Sequence, residues 1–523
     1  MDDGTALAES HGQSEIRFER GLMSCLRFFR TVPLAALLFS CLLSPRSNAG
    51  EQSHDAIDIG SRKQLFLDER LIASSRGVRL EMNTPYVMRD PVLVADRPWE
   101  KPGDAFVCSY SSVMRVDGKT RLWYHVNKLE FRPQPVGFVV TDKWLAYAES
   151  KDGIHFAKPK LGLNEYQGDR ANNIVIPGVE GGHVWIDPRA SAEHRYRFQT
   201  YGGAGKLAFY GSADGIRWKK THTAVVGHND TQNIAFWDAA VKRYLLFTRK
   251  WPGNFRVHRR LESNDLVDWQ NEVVVMQADG TDIAKYKSAA RVKPVDYYGA
   301  CVFKYPDEHG LYVMLPQAFW HWYARGNQQR VGPNLYDVRL CVSRDGRQFR
   351  RVADRSVFLR PGPEGSFYSG SVWALPAPVR MGDELWFYFQ GSNADHDGNL
   401  IPGSDKYRTG IGRAVLRLDG FLSADAGFNG GEIVTPLMRF QGKRLELNVD
   451  SGGGGVVMVE LLDEQGHPIP GFTVKEATPL CCNSVRKTVT WGQNGDVSRL
   501  ASRPVKIRFR MRDCKLYAFQ FRP

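Results

Sequence analysis

The sequence predicts an all-β protein whose main body is a five-bladed β-propeller, followed by a small C-terminal β-sandwich. Three observations lead to this prediction: a short turn motif that recurs four times, alternating apolar runs between its copies, and a turn-rich composition. The 523 residues include 50 Gly and 27 Pro, and 12% are aromatic, which is typical of chains built from strands and tight turns. One hydrophobic core rarely supports a chain of this length, so at least two domains are expected.

The recurring motif is Ser-x-Asp followed, four residues after the Asp, by an aromatic residue. Its four copies are Ser150–Phe156, Ser212–Trp218, Ser263–Trp269 and Ser343–Phe349. The Ser and Asp side chains can hydrogen-bond the backbone of a tight turn, and the Gly that follows Asp in three copies accepts a positive φ. We call these copies the staple turns, because each is expected to close a hairpin and to pack its aromatic residue on a neighbouring strand.

The number of repeats sets the expected architecture. Four staple turns, and one more strand set at Val372–Phe389, give five units of roughly four strands each, the build of a propeller blade. No linker composition interrupts residues 85–415, which favours one closed ring over a row of separate sandwiches. The predicted domains are a signal peptide at 1–49, a five-bladed propeller at 55–417 and a β-sandwich at 418–523.

The N-terminal segment has the features of an export signal. Arg27 and Arg30 precede an apolar run over 32–43, and Ser47-Asn48-Ala49 supplies the small residues that a signal peptidase requires. The run is shorter than the ~20 apolar residues of a membrane-spanning helix. We therefore expect a secreted or periplasmic protein without membrane attachment after cleavage; an uncleaved anchor and lipidation at Cys41 are the alternatives.

The formal net charge of +13 suggests an anionic partner. Because export is expected, an acidic or sulfated polysaccharide is favoured over nucleic acid. A basic surface that only serves colloidal stability is the alternative, since no dense Lys/Arg run is present.

Several motifs carry a family resemblance. Asp68-Glu69-Arg70, the segment 96–100, the segment 121–124 and the segment 230–238 occur in that order among the staple turns. Together they resemble the family of exported bacterial proteins related to glycoside hydrolase families 32 and 43. The resemblance covers about residues 60–523 and implies a five-bladed propeller with its active site at the axis. The Asn-Asp-Pro-Asn, Arg-Asp-Pro and Glu-Cys patterns of family 32 are absent at the matching positions, so activity on fructans or arabinans is not implied.

Glycoside hydrolysis requires one group that protonates the leaving oxygen and one carboxylate that acts as base or nucleophile. In a propeller, the starts of the innermost strands converge on the axis, so acidic residues ahead of those strands are the catalytic candidates. They are Asp104, Asp230, Asp282 and Glu364. For each of them the alternative is a turn residue on a polar loop.

Polar and aromatic residues near the same strand ends are the candidates for substrate binding. They are His183, Gln232, Trp320, His321, Trp322, Asn393 and His396. Trp320 and Trp322 could stack on sugar rings or serve as core. The polar loop Ser392–Asp397 suits sugar hydroxyls or one structural Ca²⁺, although its spacing matches no defined metal loop. No cofactor is expected, and no metal ligand is assigned.

These observations predict an extracytoplasmic glycoside hydrolase that acts on a poly- or oligosaccharide with a pair of carboxylates at the propeller axis. A non-catalytic glycan-binding propeller is the alternative, and a protein-binding scaffold is a third option. The discriminating property is geometric, because a glycosidase needs two carboxylates about 5–9.5 Å apart at the mouth.

Overall fold

The computed structural model describes residues 56–100, 106–132, 137–230, 232–253, 255–284, 295–306, 310–322 and 332–523. The chain divides into two compact units, Met1–Ser53 and His54–Pro523. The first unit lies outside the described residues, and with it the predicted signal peptide and Cys41. Asp104 lies outside them as well.

Strands are the predominant secondary structure of the described residues. The first third of the chain forms β1 (Ile57–Gly60), β2 (Gln64–Leu65), β3 (Ser74–Arg76), β4 (Val78–Met82), β5 (Tyr86–Val87), β6 (Leu93–Val94), β7 (Phe106–Val116), β8 (Lys119–Arg132), β9 (Gly137–Ser150) and β10 (Ile174–Pro177). The middle forms β11 (Gly182–Ile186), β12 (Tyr196–Tyr201), β13 (Lys206–Ser212), β14 (Lys219–Val225), β15 (Ile234–Asp238), β16 (Arg243–Lys250), β17 (Val257–Ser263), β18 (Gln270–Met276), helix α1 (Gly280–Ala284), β19 (Val295–Lys304) and β20 (Tyr312–Trp320).

The remaining strands run to the C-terminus. They are β21 (Tyr336–Arg339), β22 (Cys341–Ser343), β23 (Arg350–Arg351), β24 (Val357–Leu359), β25 (Ser371–Ala374), β26 (Val379–Met381), β27 (Glu384–Ser392), β28 (Thr409–Arg417), β29 (Leu422–Ala426), β30 (Gly431–Val434), β31 (Met438–Phe440), β32 (Arg444–Asp450), β33 (Val456–Leu462), β34 (Asn483–Thr488), β35 (Lys506–Arg512) and β36 (Cys514–Arg522). Short 3-10 turns occupy Glu69–Leu71, Ala192–His194, Ala353–Arg355 and Ser498–Leu500.

Three four-stranded antiparallel sheets follow one another along the chain. Their orders are β7-β8-β9-β10, β11-β12-β13-β14 and β15-β16-β17-β18. A larger sheet contains β19 to β28, and within it β25, β27 and β28 are neighbours. The first strand of each sheet contacts the first strand of the next: β7 contacts β11, β11 contacts β15, and β15 contacts β19. We call these four strands the inner strands.

The staple turns form as the sequence predicts. In the second copy, Ser212 Oγ accepts from the backbone N–H of Gly215 at 2.9 Å, and Asp214 Oδ1 accepts from Ile216 and Arg217 at 2.8 Å each. The other three copies repeat these bonds. The third copy has Leu266 at a φ of 71°, where the others have Gly. Leu266 is 2% exposed, and its buried side chain offsets the backbone strain.

Each staple turn also receives a polar side chain from the preceding sheet. Trp123 Nε1 donates to the carbonyl of Gly215 at 2.5 Å, His222 Nε2 contacts that of Leu266 at 3.1 Å, and Arg260 donates to that of Asp345 at 2.7 Å. Tyr388, from the last of these strand sets, donates to the carbonyl of Gly153 in the first staple turn at 2.7 Å. The staple turns therefore link neighbouring sheets, and the last strand set contacts the first.

The N-terminal strands join sheets formed by distant parts of the chain. Strand β28, which ends at Arg417, pairs with both β5 and β6. Residues 86–94 therefore form an outer edge of the sheet that contains β28. Strand β4 pairs with β29, β2 with β36 and β3 with β30. The segment before residue 83 therefore belongs to the C-terminal sheets by its pairing.

The C-terminal strands form two sheets over one core. The orders are β34-β32-β36-β29-β4 and β3-β30-β35-β33. Their inward side chains share a buried apolar cluster, in which Phe66, Phe509 and Phe519 contact one another at ring distances of 5.8 to 6.1 Å.

Within the described ranges, no helix is both long enough and apolar enough to cross a bilayer. In the same residues, no group of three or more His, Cys, Asp or Glu side chains is placed to hold a metal ion.

Candidate functional site

Side chains from several sheets meet near the inner strands. They form a continuous set of ion pairs and ring contacts, which we call the axial cluster: Tyr110, Asp230, Arg249, Trp251, Arg256, Tyr298, Trp373 and His396. Tyr110 lies on β7, Arg249 on β16, Tyr298 on β19 and Trp373 on β25. Strands of different sheets thus bring together residues that are far apart in the sequence.

Asp230 is the partly exposed carboxylate of the axial cluster. Its side chain is 41% exposed and forms an ion pair with Arg249, whose side chain is 0% exposed. Asn233 donates to the backbone carbonyl of Asp230 at 2.6 Å, and Thr248 donates to the Asn233 side-chain oxygen at 2.5 Å. The loop that carries Asp230 is therefore tied to β16, and one carboxylate oxygen is held at the buried guanidinium while the side chain still reaches solvent.

Arg249 connects Asp230 to the aromatic part of the cluster. Its guanidinium carbon lies 4.4 Å from the ring centroid of Trp251 and 4.3 Å from that of Tyr298, and it donates to the Tyr298 carbonyl at 2.8 Å. Burial alone would lower the pKa of Arg249, but Tyr298, Asp230 and Tyr110 raise it. The guanidinium therefore stays charged although it is removed from water.

A second ion pair also contacts Tyr298. Arg256 contacts the Tyr298 ring at 4.4 Å and donates to Asp296 at 3.0 Å. Asp296 is fully buried, and His321 Nε2 lies 3.4 Å from its other oxygen. Each guanidinium near Tyr298 therefore pairs with a carboxylate: Arg249 with the partly exposed Asp230, and Arg256 with the fully buried Asp296.

Aromatic rings surround Tyr298. Its centroid lies 5.0 Å from that of Trp373, 5.3 Å from Tyr336, 5.7 Å from Phe319 and 5.5 Å from His396. Tyr110 adds an edge contact to Trp373 at 5.5 Å. Phe319, Tyr336 and Trp373 are buried, so in this group Tyr110 and Tyr298 are the partly exposed tyrosine rings that suit the apolar face of a sugar, while the charged groups suit hydroxyls.

Three histidines near the inner strands are buried and neutral. Burial lowers the pKa of His125, His183 and His258 to about 3. His258 lies near Arg249, which lowers its pKa further, and its Nε2 contacts the Tyr297 carbonyl at 3.0 Å. These imidazoles are part of the interior around the cluster.

The structure places the three described catalytic candidates in different surroundings. Asp230 belongs to the axial cluster. Asp282, in the middle of α1, accepts from Arg351 at 2.9 Å and from Arg355 at 2.7 Å. Glu364 is exposed in a loop, with Gly403 beside its Cβ. Of these three, Asp230 alone belongs to the axial cluster.

The substrate-binding candidates divide in the same way. His396 belongs to the cluster, and His321 adjoins it through Asp296 and through Phe319 at 4.1 Å. His183 is buried, and the buried Gln232 accepts from Cys301 Sγ at 3.4 Å. The other three make structural contacts: Trp320 donates to Asp337 at 2.8 Å, the Trp322 backbone donates to Asn334 at 3.1 Å, and Asn393 donates to the Lys406 carbonyl at 2.8 Å.

Asp337 is a buried carboxyl next to Trp320. Burial raises the pKa of Asp337 more than its bonds to Arg339 and Trp320 lower it. It follows Tyr336 on β21, and successive strand residues point to opposite faces. Since Tyr336 faces Tyr298, Asp337 faces away from the axial cluster and belongs to the network of Arg339 and Trp320.

Sequence reasoning missed Tyr110, Arg249, Trp251, Arg256, Tyr298 and Trp373. Two of them had a local signal, because Tyr298 stands near the start of β19 and Trp251 directly follows the end of β16. Arg249 had none, since an arginine on a strand is ordinarily expected to face solvent.

No family model matches the chain, and no curated protein sequence matches it. Solved structures resemble it at low identity. A β-1,2-mannobiose phosphorylase from Listeria innocua shares 14% identity over 65% of this chain and 98% of its own, with a TM-score of 0.43. An α-L-arabinofuranosidase from Podospora anserina shares 13% over 64% and 98%, with a TM-score of 0.40. A glycosyl hydrolase from Bacteroides ovatus shares 14% over 70% and 99%, with a TM-score of 0.39.

Proposed function

We propose that the strands from β5 to β28 form a five-bladed propeller and that the two sheets of the C-terminal strands form a β-sandwich. The contacts of β7, β11, β15 and β19 support the propeller, as does the bond from Tyr388 to the first staple turn. Pairing of β28 with β5 and β6 would close the ring, because it joins the last blade to the chain that enters the first.

Within this arrangement the protein is a glycoside hydrolase that acts on a poly- or oligosaccharide. The observation that supports this function best is Asp230, a partly exposed carboxylate held by the buried guanidinium of Arg249, which itself contacts the rings of Trp251 and Tyr298. Carbohydrate sites combine these two features, a positioned carboxylate and a stacking wall.

We assign the following roles to these residues. Asp230 acts as base or nucleophile, and Arg249 fixes the direction of its carboxylate. Trp251 and Tyr298 present ring faces to the sugar. Asp104 is the proposed proton donor, because it precedes β7, the strand that carries Tyr110.

The substrate we propose is an anionic polysaccharide met outside the cytoplasm, in the periplasm or after secretion. The net charge of +13 supports an anionic chain, and Arg27, Arg30 and the apolar run over 32–43 support export.

A non-catalytic glycan-binding propeller is the second candidate. It is favoured by Asp296, since this second carboxylate near Tyr298 is fully buried and paired with Arg256. A binding protein needs stacking and hydroxyl contacts but no second accessible acid.

Release of reducing sugar from neutral, acidic and sulfated glycans tests the proposal. We expect the wild type to release product from at least one acidic glycan and Asp230→Asn to lose this activity by ~100-fold or more. Asp268→Asn is the matched control, because Asp268 is an exposed acid of a staple turn. No product from any glycan, with binding retained by all three proteins, would establish the binding protein instead.

A further inference from the structure

His396 is held at the axial cluster by a hydrogen bond to the carboxylate that follows it in the chain. Its Nδ1 lies 2.8 Å from Asp397 Oδ1, and 32% of its side chain is exposed. The ring centroid lies 4.7 Å from that of Phe319 and 5.5 Å from that of Tyr298. The backbone N–H of His396 donates to the carbonyl of Asn334 at 3.0 Å. Both the backbone and the ring of His396 are therefore fixed.

Donor and acceptor chemistry sets the direction of the hydrogen bonds behind this ring. The backbone N–H of Trp322 donates to Asn334 Oδ1 at 3.1 Å, so the amide nitrogen of the buried Asn334 faces Asp397. Asn334 Nδ2 then donates to Asp397 Oδ2 at 2.8 Å. Because a carboxylate only accepts hydrogen bonds, the Nδ1 of His396 carries the hydrogen of the bond to Asp397.

This network determines what the other nitrogen of the ring can bind. In the described part of the chain, His396 forms its hydrogen bonds through the backbone N–H and Nδ1, and Nε2 is left to a ligand. When Nδ1 of a neutral imidazole carries the hydrogen, Nε2 has a lone pair and accepts a hydrogen bond. A sugar hydroxyl can donate to this atom, whereas a sulfate or a carboxylate, which only accepts, cannot.

We infer that His396 is a specificity residue of the axial cluster, whose Nε2 accepts a hydrogen bond from a hydroxyl of the bound sugar, and that Asn334 and Asp397 are its positioning residues. The inference deepens the proposed function and rests on it, because the axial cluster is taken to be the sugar site. Anionic polysaccharides also carry free hydroxyls. The sugar unit at His396 therefore presents a hydroxyl to Nε2 and directs its charged group elsewhere.

A ¹⁵N NMR experiment on the full chain with labelled histidine tests the orientation of the network, because the two nitrogen shifts report which atom carries the hydrogen. At about pH 8, where an ordinary imidazole is neutral, we expect the Nδ1–H form for His396. Its signals are assigned by their loss in His396→Gln.

Two further variants test the positioning residues. Asp397→Asn is expected to convert the His396 ring to the Nε2–H form, because Asn334 donates and attracts the oxygen of the new amide, whose NH2 group then faces Nδ1. Combining Asn334→Asp with Asp397→Asn should restore the Nδ1–H form, since carboxylate and amide exchange places and every donor again meets an acceptor.

Added sugars test the ligand in the same spectra. The probes are neutral disaccharides of mannose, galactose and arabinose, and the disaccharide of galacturonic acid. We expect at least one neutral disaccharide to shift the Nε2 signal of His396. Asp397→Asn should bind that sugar about tenfold more weakly, through the loss of one hydrogen bond. The matched control is Asp152→Asn, which should keep the affinity, because Asp152 forms the same kind of pair with the 85% exposed His155 in a staple turn, at 2.7 Å.

The outcomes separate this inference from the proposed hydrolase. Any form other than Nδ1–H in the wild type, an unchanged ring in Asp397→Asn, or the lack of a shift with every neutral disaccharide overturns the inference. A sugar contact at Nε2 in a protein that releases no reducing sugar would support the role of His396 and refute the hydrolase. Equal product release by the wild type and Asp397→Asn would retain the hydrolase and refute the role of His396.

Discussion

Asp230 and Asp282 were predicted on the same ground, as acids ahead of inner strands, yet the structure gives them opposite surroundings. Asp282 is 9% exposed and bound by Arg351 and Arg355. It also accepts from Tyr297 at 3.3 Å and from the Asp279 backbone at 3.1 Å. Asp230 is 41% exposed and is held by the single guanidinium of Arg249.

The difference shows what separates a structural carboxylate from one available for chemistry. Every bond to Asp282 comes from within the fold and leaves little room for a substrate. Asp230 is oriented by Arg249 while 41% of its side chain stays exposed, and a reacting group requires both positioning and access.

Asp282→Asn is expected to lower the free energy of unfolding by about 2 kcal/mol, because it removes one of the charges that neutralise two partly buried guanidiniums. Arg351 and Arg355 retain Asp279 as a partner, at 2.5 and 2.8 Å. Asp230→Asn should cost less, about 1 kcal/mol, because the Asp230 side chain is 41% exposed and Arg249 keeps its bond to the Tyr298 carbonyl and its contacts with the rings of Trp251 and Tyr298. Urea unfolding of both variants measures the difference, and equal losses would remove the distinction drawn here.

Acid should destabilise the interior around the axial cluster. His258 has a folded pKa of about 3 because of its burial, below the value of about 6.5 in the unfolded chain. The unfolded state therefore binds more protons between these values, so stability is lost as pH falls below 6.5, by at most ~1.4 kcal/mol per pH unit. His258→Asn should flatten this slope.

The control is His155→Asn, whose imidazole is 85% exposed. Denaturant unfolding at several pH values between 5 and 7 measures both slopes. An unchanged slope in His258→Asn would show that this imidazole is already accessible to protons.

Trp251→Ala is expected to weaken glycan binding about tenfold without altering the fold, because it removes one ring face beside Asp230. Trp218→Ala is the matched control, since Trp218 belongs to a staple turn and donates to the Gly215 carbonyl at 3.1 Å. Trp218→Ala should have a lower free energy of unfolding and an unchanged affinity for the glycan. The reverse pattern would place the glycan away from the axial cluster.

Asp214→Ala should destabilise the protein by roughly 1 kcal/mol, through the loss of two backbone hydrogen bonds in the second staple turn. Burial alone would raise the pKa of Asp214, but its bonds to Arg217, Ile216 and Ser212 lower it. Its contribution is therefore present above about pH 4 and lost as the pH falls further. Asn264→Ala, an exposed change in the third staple turn, should have no such effect in thermal unfolding.

Local features of the fold could be predicted from the sequence. The staple turns need only a Ser and an Asp two residues apart, and strand β33 coincides with the alternating run over 456–462. Partners distant in sequence could not be predicted in this way. The pairing of β4 with β29 joins segments separated by more than 300 residues, and short edge strands carry little pattern of their own.

The candidate site could be predicted only in part for a similar reason. Asp230 was found because an acid before an apolar strand is visible in the sequence. The burial of Arg249 and the position of Tyr298 depend on how neighbouring sheets meet, which no single strand encodes. The same limit applies to Asp282, whose arginine partners lie about 70 residues further along the chain.

Product release and the urea midpoint, measured together in Asp230→Asn and Asp282→Asn, test the central claim most directly. The account predicts a crossover, in which Asp230→Asn loses product release and keeps its midpoint while Asp282→Asn loses stability and keeps activity below its unfolding transition. Full activity in a folded Asp230→Asn protein would contradict the assignment of the axial cluster as the catalytic site.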